Sequence, residues 1–136
     1  MGTRAPELAD VEPLVAAVRA RFPMVFGVWL FGSLARGRAR RDSDIDLAIA
    51  APAPLDPVQV FDLGLELGVL AGRDVDLVDL RRGSVLLRHV VMTEGRLLFA
   101  ASPEACQQFA ADTSALWCAH QDEQRIVRLY AKGRAS

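Results

Sequence analysis

The run from Trp29 to Ala50, W-L-F-G-S-L-A-R-G-R-A-R-R-D-S-D-I-D-L-A-I-A, constrains the fold more than any other stretch of the chain. One apolar stretch ends at Gly32-Ser33, and a second opens at Asp44-Ile45-Asp46 after ten intervening residues. This order predicts a strand, a small-residue loop and a second strand, with two carboxylates opposite the loop. Side chains alternate faces along a strand that rises roughly 3.3 Å per residue, which sets Asp44 and Asp46 on one face roughly 7 Å apart along the backbone. Ile45, Leu47 and Ile49 then point the other way, into a core. Two aspartates on one face repel, and nothing nearby in sequence neutralises both. A divalent cation is their natural partner, because Mg²⁺ takes one or two carboxylates together with phosphate oxygens and water. Gly32 lets a phosphate approach backbone N–H groups closely, and Ser33 adds a hydroxyl. A phosphate cradle and a carboxylate pair predict a nucleotidyl-transfer site. Two ions held ~3.5–4 Å apart there would clamp the attacking and leaving oxygens.

The rest of the chain bounds what can surround such a site. Its 136 residues fit one domain, with a core over residues 25–100 and a C-terminal helical segment over 102–132. Hydrophobic residues at 51% are too many for disorder. A net charge of −1 gives no global field toward nucleic acid or membrane, so any basic site is local. Cys106 and Cys118 have no metal or redox spacing and fit a reducing cytoplasm. The first ten residues lack the apolar core of a signal peptide. The longest apolar stretch, 22–32, is about half of the ~20 residues a membrane-spanning helix needs. The expected protein is soluble and cytoplasmic.

In chain order, Met1–Pro6 is expected to be a loose tail and Glu7–Phe22 a helix, with Pro13 marking a start nearer Val11. Val25–Phe31 and Asp44–Ala50 are strands, and Ala51–Pro57 is a proline-rich loop. Val58–Ala71 alternates like a strand but is long for one. Val58, Phe61, Leu65 and Val69 also fit a helical face, and a crossover at this point favours a helix. Val75–Leu80 is a strand. Ser84–Glu94 is a helix capped by Ser84, with Gly95 past its end. Arg96–Ala100 is a short strand. Ser102-Pro103-Glu104 starts a helix that runs to about Lys132, with a break expected near Thr113-Ser114.

Other chemistry-bearing residues carry less. Arg36, Arg38, Arg40 and Arg41 form the densest basic cluster, and one or two of them suit a triphosphate. For any single one of them a solvated charged turn is the bland reading; Arg36 is the one named as nucleotide-binding candidate. Ser33 lacks a G-x-S-x-G elbow and a nearby histidine, so phosphate contact is favoured over nucleophilic attack. Ser43 is expected to bond locally. His89 and His120 read as structural or surface residues, and both cysteines as lying in or beside helix packing faces. Trp29 reads as core. Trp117 also reads first as core; if exposed, it would point to a partner interface.

Gly32-Ser33, ten residues, then Asp44-x-Asp46 resembles the signature of the polymerase-β-like nucleotidyltransferases. The fuller G-S-L-A-R-G…S-D-I-D-L resembles the minimal nucleotidyltransferases, antitoxins encoded beside HEPN toxins. The resemblance implies an α/β (α+β) fold, with a small mixed sheet of about four strands and helices mainly on one face. It also implies a third carboxylate from a later strand. D-V-D-L-V-D-L offers Asp74, Asp76 and Asp79. Asp76 lies inside the strand and matches the family's V-D-L-V pattern, whereas Asp79 reads as a strand-end acid in solvent. Asp44, Asp46 and Asp76 would hold Mg²⁺, in all two ions, and Asp76 would also serve as general base. Gly32, Ser33 and Arg36 would meet ATP. The implied acceptor is a tyrosine hydroxyl on a HEPN ribonuclease toxin, held in a stable complex, with no membrane and no direct nucleic-acid binding. Two alternatives stay open: a non-catalytic antitoxin acting by occlusion, and an aminoglycoside-type small-molecule nucleotidyltransferase.

Overall fold

Pro13 sits in the first turn of helix α1, Glu12–Arg21, where its missing N–H costs nothing. A 3₁₀ turn over Leu8–Val11 leads into it, so the helix proper starts where the proline allows. The computed structural model describes residues 4–135. The rest of the chain follows as β1 (Gly27–Phe31), a one-turn helix α2 (Gly32–Ala35) and β2 (Ile45–Ala50). Then come α3 (Pro57–Ala71), β3 (Val75–Asp79), α4 (Val85–Glu94), β4 (Arg96–Ala100) and α5 (Pro103–Ala135).

The sheet order is β3-β2-β1-β4. β1 runs antiparallel to both β2 and β4, and β2 runs parallel to β3. A parallel pair needs a crossover, which α3 supplies. Asp56 caps α3 by accepting the Val58 N–H at 2.9 Å, Pro57 opens it, and Gly72 closes it in the left-handed conformation, φ 67°. These end signals outweigh the strand-like alternation inside.

Alternation along the strands divides the core between the two faces of the sheet. Val28, Leu30, Ile45, Leu47 and Ile49 pack with Val11, Leu14 and Val18 and with Val60, Leu63 and Leu67 from α3. Trp29, Ala48 and Ala50 pack on the other face with Val91 of α4 and with Cys106 and Phe109 of α5. A Cβ at Gly27 would press into the Trp29 ring and the Cys106 sulfur, so the strand must be bare there. The four-strand mixed sheet is as expected, but helices cover both faces.

Several local expectations are corrected. Met1–Thr3 of the expected tail lie outside the described residues. Arg4–Pro6 is anchored: Arg4 bonds Asp10 at 2.7 and 3.0 Å, and Pro6 is buried. The exposed face of α3 is the one made by Val58, Phe61, Leu65 and Val69, while Val60, Leu63 and Leu67 face inward. α5 runs unbroken through Thr113, which is buried. Cys118 is exposed and Cys106 buried, both as free thiols. Trp117 stacks on His89 at 4.0 Å between ring centres, so it joins α5 to α4. Among the described residues, no helix is long and apolar enough to cross a membrane.

Candidate active site

Asp46 and Asp76 stand side by side at one end of the β2–β3 pair. Asp46 stands in register with Asp76 on the neighbouring parallel strand and with Phe31 at the end of β1. Paired residues on adjacent strands share a face and lie ~4.8 Å apart, so the Asp46 and Asp76 side chains emerge together. Asp44 lies one residue before β2. Of the three acids in D-V-D-L-V-D-L, the register puts Asp76 beside Asp46. Asp74 stands just before β3 and uses its backbone carbonyl to accept the Ile45 N–H at 3.0 Å.

The electrostatics follow from this crowding. Asp46 is pushed up from the ordinary carboxylate range to about 6, first by burial, then by the charge of Asp76 and then by that of Asp44. The Arg36 guanidinium pulls in the opposite direction but does not cancel them. Arg36 therefore stands near the carboxylates as well as near the glycine-serine turn. A cluster of carboxylates offset by one arginine fits a divalent cation with oxygen ligands. Among the described residues, no three acidic, histidine or cysteine side chains are already drawn together tightly enough to hold an ion.

Gly32 closes the site. Its φ is +75°, in the region that favours glycine. A Cβ added there would overlap the Asp46 carboxylate itself. Its bareness thus seats Asp46, a reason the sequence did not disclose beside the expected phosphate approach. Ser33 follows in the single turn of α2 and is half-buried. Its carbonyl accepts the Arg38 N–H at 2.8 Å, which starts the loop back toward Asp44. Ser43 bonds locally, as expected: its hydroxyl accepts the Arg40 N–H at 2.7 Å.

Asp79 is a correction. It is buried, and its carboxylate accepts the Leu55 N–H at 2.8 Å and the Arg81 N–H at 3.0 Å. It ties the loop before α3 to the end of β3. The bond to the residue two positions on is an Asx turn, a signal present in D-L-R-R-G. Sequence reasoning also passed over Arg73, which hydrogen-bonds the carbonyls of Arg41 and Ser43 in the loop that carries Asp44.

The model of the family described as polymerase beta, nucleotidyltransferase, matches residues 16–104. The chain belongs to this nucleotidyltransferase family. Protein adenylyltransferase MntA of Shewanella oneidensis is 32% identical to this nucleotidyltransferase over 114 residues, 84% of this chain and 81% of that protein. A solved toxin–antitoxin structure with AMP-PNP superposes with a TM-score of 0.79 at 32% identity, covering 84% of this chain and 91% of the matched one. A structure of tri-AMPylated Shewanella oneidensis HEPN toxin in complex with MNT antitoxin gives a TM-score of 0.76 at 28% identity, covering 88% and 92%. The resemblance carried by G-S…D-x-D is thus borne out, and the nucleotidyltransferase shares its fold with chains from toxin–antitoxin complexes.

Proposed function

We propose that this nucleotidyltransferase transfers AMP from ATP to a tyrosine hydroxyl of a HEPN ribonuclease toxin and neutralises it as an antitoxin, residues 1–136 acting as one domain. The observation that carries this reading is the register of Asp46 against Asp76, with Asp46 seated on Gly32. It supports a carboxylate site beside the turn that would grip a triphosphate. Likeness to an adenylyltransferase and to chains from toxin–antitoxin structures supports the donor, the acceptor class and the partner.

Asp44, Asp46 and Asp76 would hold Mg²⁺, which when bound neutralises triphosphate charge and activates the attacking oxygen. The chain's own groups do the rest. Gly32 and Ser33 take the β- and γ-phosphates, and Arg36 offers its planar donors to phosphate oxygens. The Asp76 carboxylate takes the proton of the tyrosine hydroxyl. The phenolic oxygen bonds to the α-phosphorus in line as the bond to the bridging β-phosphate oxygen breaks, and pyrophosphate leaves. Catalysis consists chiefly of positioning and charge neutralisation.

The test is incubation with α-labelled ATP, Mg²⁺ and a HEPN toxin as acceptor. Label is expected on the toxin, lost with Asp46→Asn and with the acceptor tyrosine changed to phenylalanine. If Asp44→Asn and Asp46→Asn proteins still neutralise the toxin and the wild type transfers no label, occlusion replaces catalysis. Label recovered on a small acceptor instead would make this an enzyme of small molecules.

A further inference from the structure

We propose that Arg73 is a positioning residue for the transfer site, its guanidinium fixing the backbone from which Asp44 projects. This rests on the nucleotidyl-transfer reading of that site. One guanidinium nitrogen of Arg73 donates to the Arg41 carbonyl at 3.3 Å and to the Ser43 carbonyl at 3.2 Å. The Ser43 carbonyl belongs to the peptide joining Ser43 to Asp44, so the bond acts on the unit that sets the Asp44 backbone. The other terminal nitrogen donates to the Arg4 carbonyl. All three acceptors are main-chain oxygens on two separate segments, which only a planar multi-donor fork spans at once.

The loop needs such an anchor. Its own hydrogen bonds are local: Arg38 to Ser33, Ser43 to Arg40, and Arg40 to the Ser43 hydroxyl. They shape the turn, and the Ile45 N–H bond to the Asp74 carbonyl at 3.0 Å ties its end, just after Asp44, to the start of β3; residues 41–43 still lack a reference against the end of α3. Arg73 supplies that reference, because it is three residues before Asp76 and its own N–H is held by the Gly68 carbonyl at 3.3 Å. The end of α3 therefore sets the Asp44 loop and the β3 carboxylate from one place. The link to Arg4 extends the brace to the N-terminal segment, where Arg4 also pairs with Asp10.

The test is Mn²⁺ affinity, read by electron paramagnetic resonance on full-length protein well below its melting temperature, beside Mg²⁺-dependent AMP transfer. Removing a residue that orients a metal ligand weakens metal binding by roughly 10–100-fold. Arg73→Gln is expected to bind Mn²⁺ about tenfold more weakly and to need more Mg²⁺ for half-maximal transfer. Arg73→Lys, which keeps the charge and loses the fork, is expected to fall between it and the wild type. A residue that only stabilised the fold would lower the melting temperature and leave Mn²⁺ affinity alone. Wild-type Mn²⁺ affinity in both variants, with binding lost in Asp46→Asn, overturns the Arg73 assignment and spares the site. Wild-type affinity in Asp46→Asn overturns the site as well. If Arg73→Gln does not fold, Arg73→Lys carries the test, and unchanged affinity in it overturns the assignment.

Discussion

At the residue scale, Asp46 is kept in a place that does not suit it. Burial and two neighbouring acids raise its pKa to about 6 from the ordinary 3.8. A carboxylate whose folded pKa is raised destabilises the fold when ionised. That penalty is fully present above about pH 6 and is gone below its unfolded value. Ionising such a carboxylate costs at most ~3 kcal/mol, which solvent screening of a half-exposed group reduces to ~1 kcal/mol. Metal-free Asp46→Asn protein is therefore expected to melt about 4 °C higher than wild type at pH 8, with the difference fading toward pH 4, while AMP transfer is abolished. Calorimetry across that pH range checks it; a lower melting temperature at pH 8 would show that Asp46 is not strained. Gly32→Ala should do the opposite on stability. It forces a side chain into φ +75° and against Asp46, and is expected to cost about 1–2 kcal/mol and most of the transfer activity. Urea unfolding and the labelled-ATP assay read the two effects separately.

At the element scale, β3 carries two acids with opposite duties. Asp76 points to the site beside Asp46, and Asp79 satisfies two backbone N–H groups in the interior. Asp79→Ala leaves both donors unpaired and is expected to destabilise the fold by about 2–3 kcal/mol. Asp76→Asn should leave the unfolding midpoint within ~0.5 kcal/mol of wild type and abolish transfer. Denaturant melts of the pair separate the roles, and the reverse pattern would move the third ligand to Asp79. Alternation along the strand sets residues three apart on opposite faces, but the sequence did not show which face held the site, because that follows from pairing with β2. α3 shows the same limit. Its extent was read within one residue, although the Asp56-Pro57 start was assigned to the preceding loop. Which stripe faced inward was not: Val58, Phe61, Leu65 and Val69 are as apolar as Val60, Leu63 and Leu67, and only the sheet beneath chooses.

At the scale of the whole molecule, the site sits where β1 ends and β2 and β3 begin, and two cores on opposite faces of the sheet hold those strands. Phe109 and Trp29 belong to the core on the Asp46 face, their rings 6.2 Å apart. Phe109→Ala is expected to cost about 3–4 kcal/mol. Deleting everything after Gln121, where the helix side chains described are exposed, should change the unfolding free energy by less than ~0.5 kcal/mol. A large loss in that truncated protein would mean that the end of α5 packs on the domain. The strands flanking G-S and D-x-D were legible because local spacing encodes them, and the family resemblance carried by that spacing implied the fold class and strand number. Helices on both sheet faces, the Arg73 brace and the seating of Asp46 on Gly32 were not, because contacts between distant segments create them. The central claim is that Asp44, Asp46 and Asp76 jointly ligate a divalent ion facing the Gly32-Ser33 turn. Crystals grown with Mn²⁺ and a non-hydrolysable ATP analogue test it through the anomalous signal of the metal. A peak among those three carboxylates, with the triphosphate over Gly32 and Ser33, is the predicted result; nucleotide bound there with the manganese peak away from these acids would contradict it.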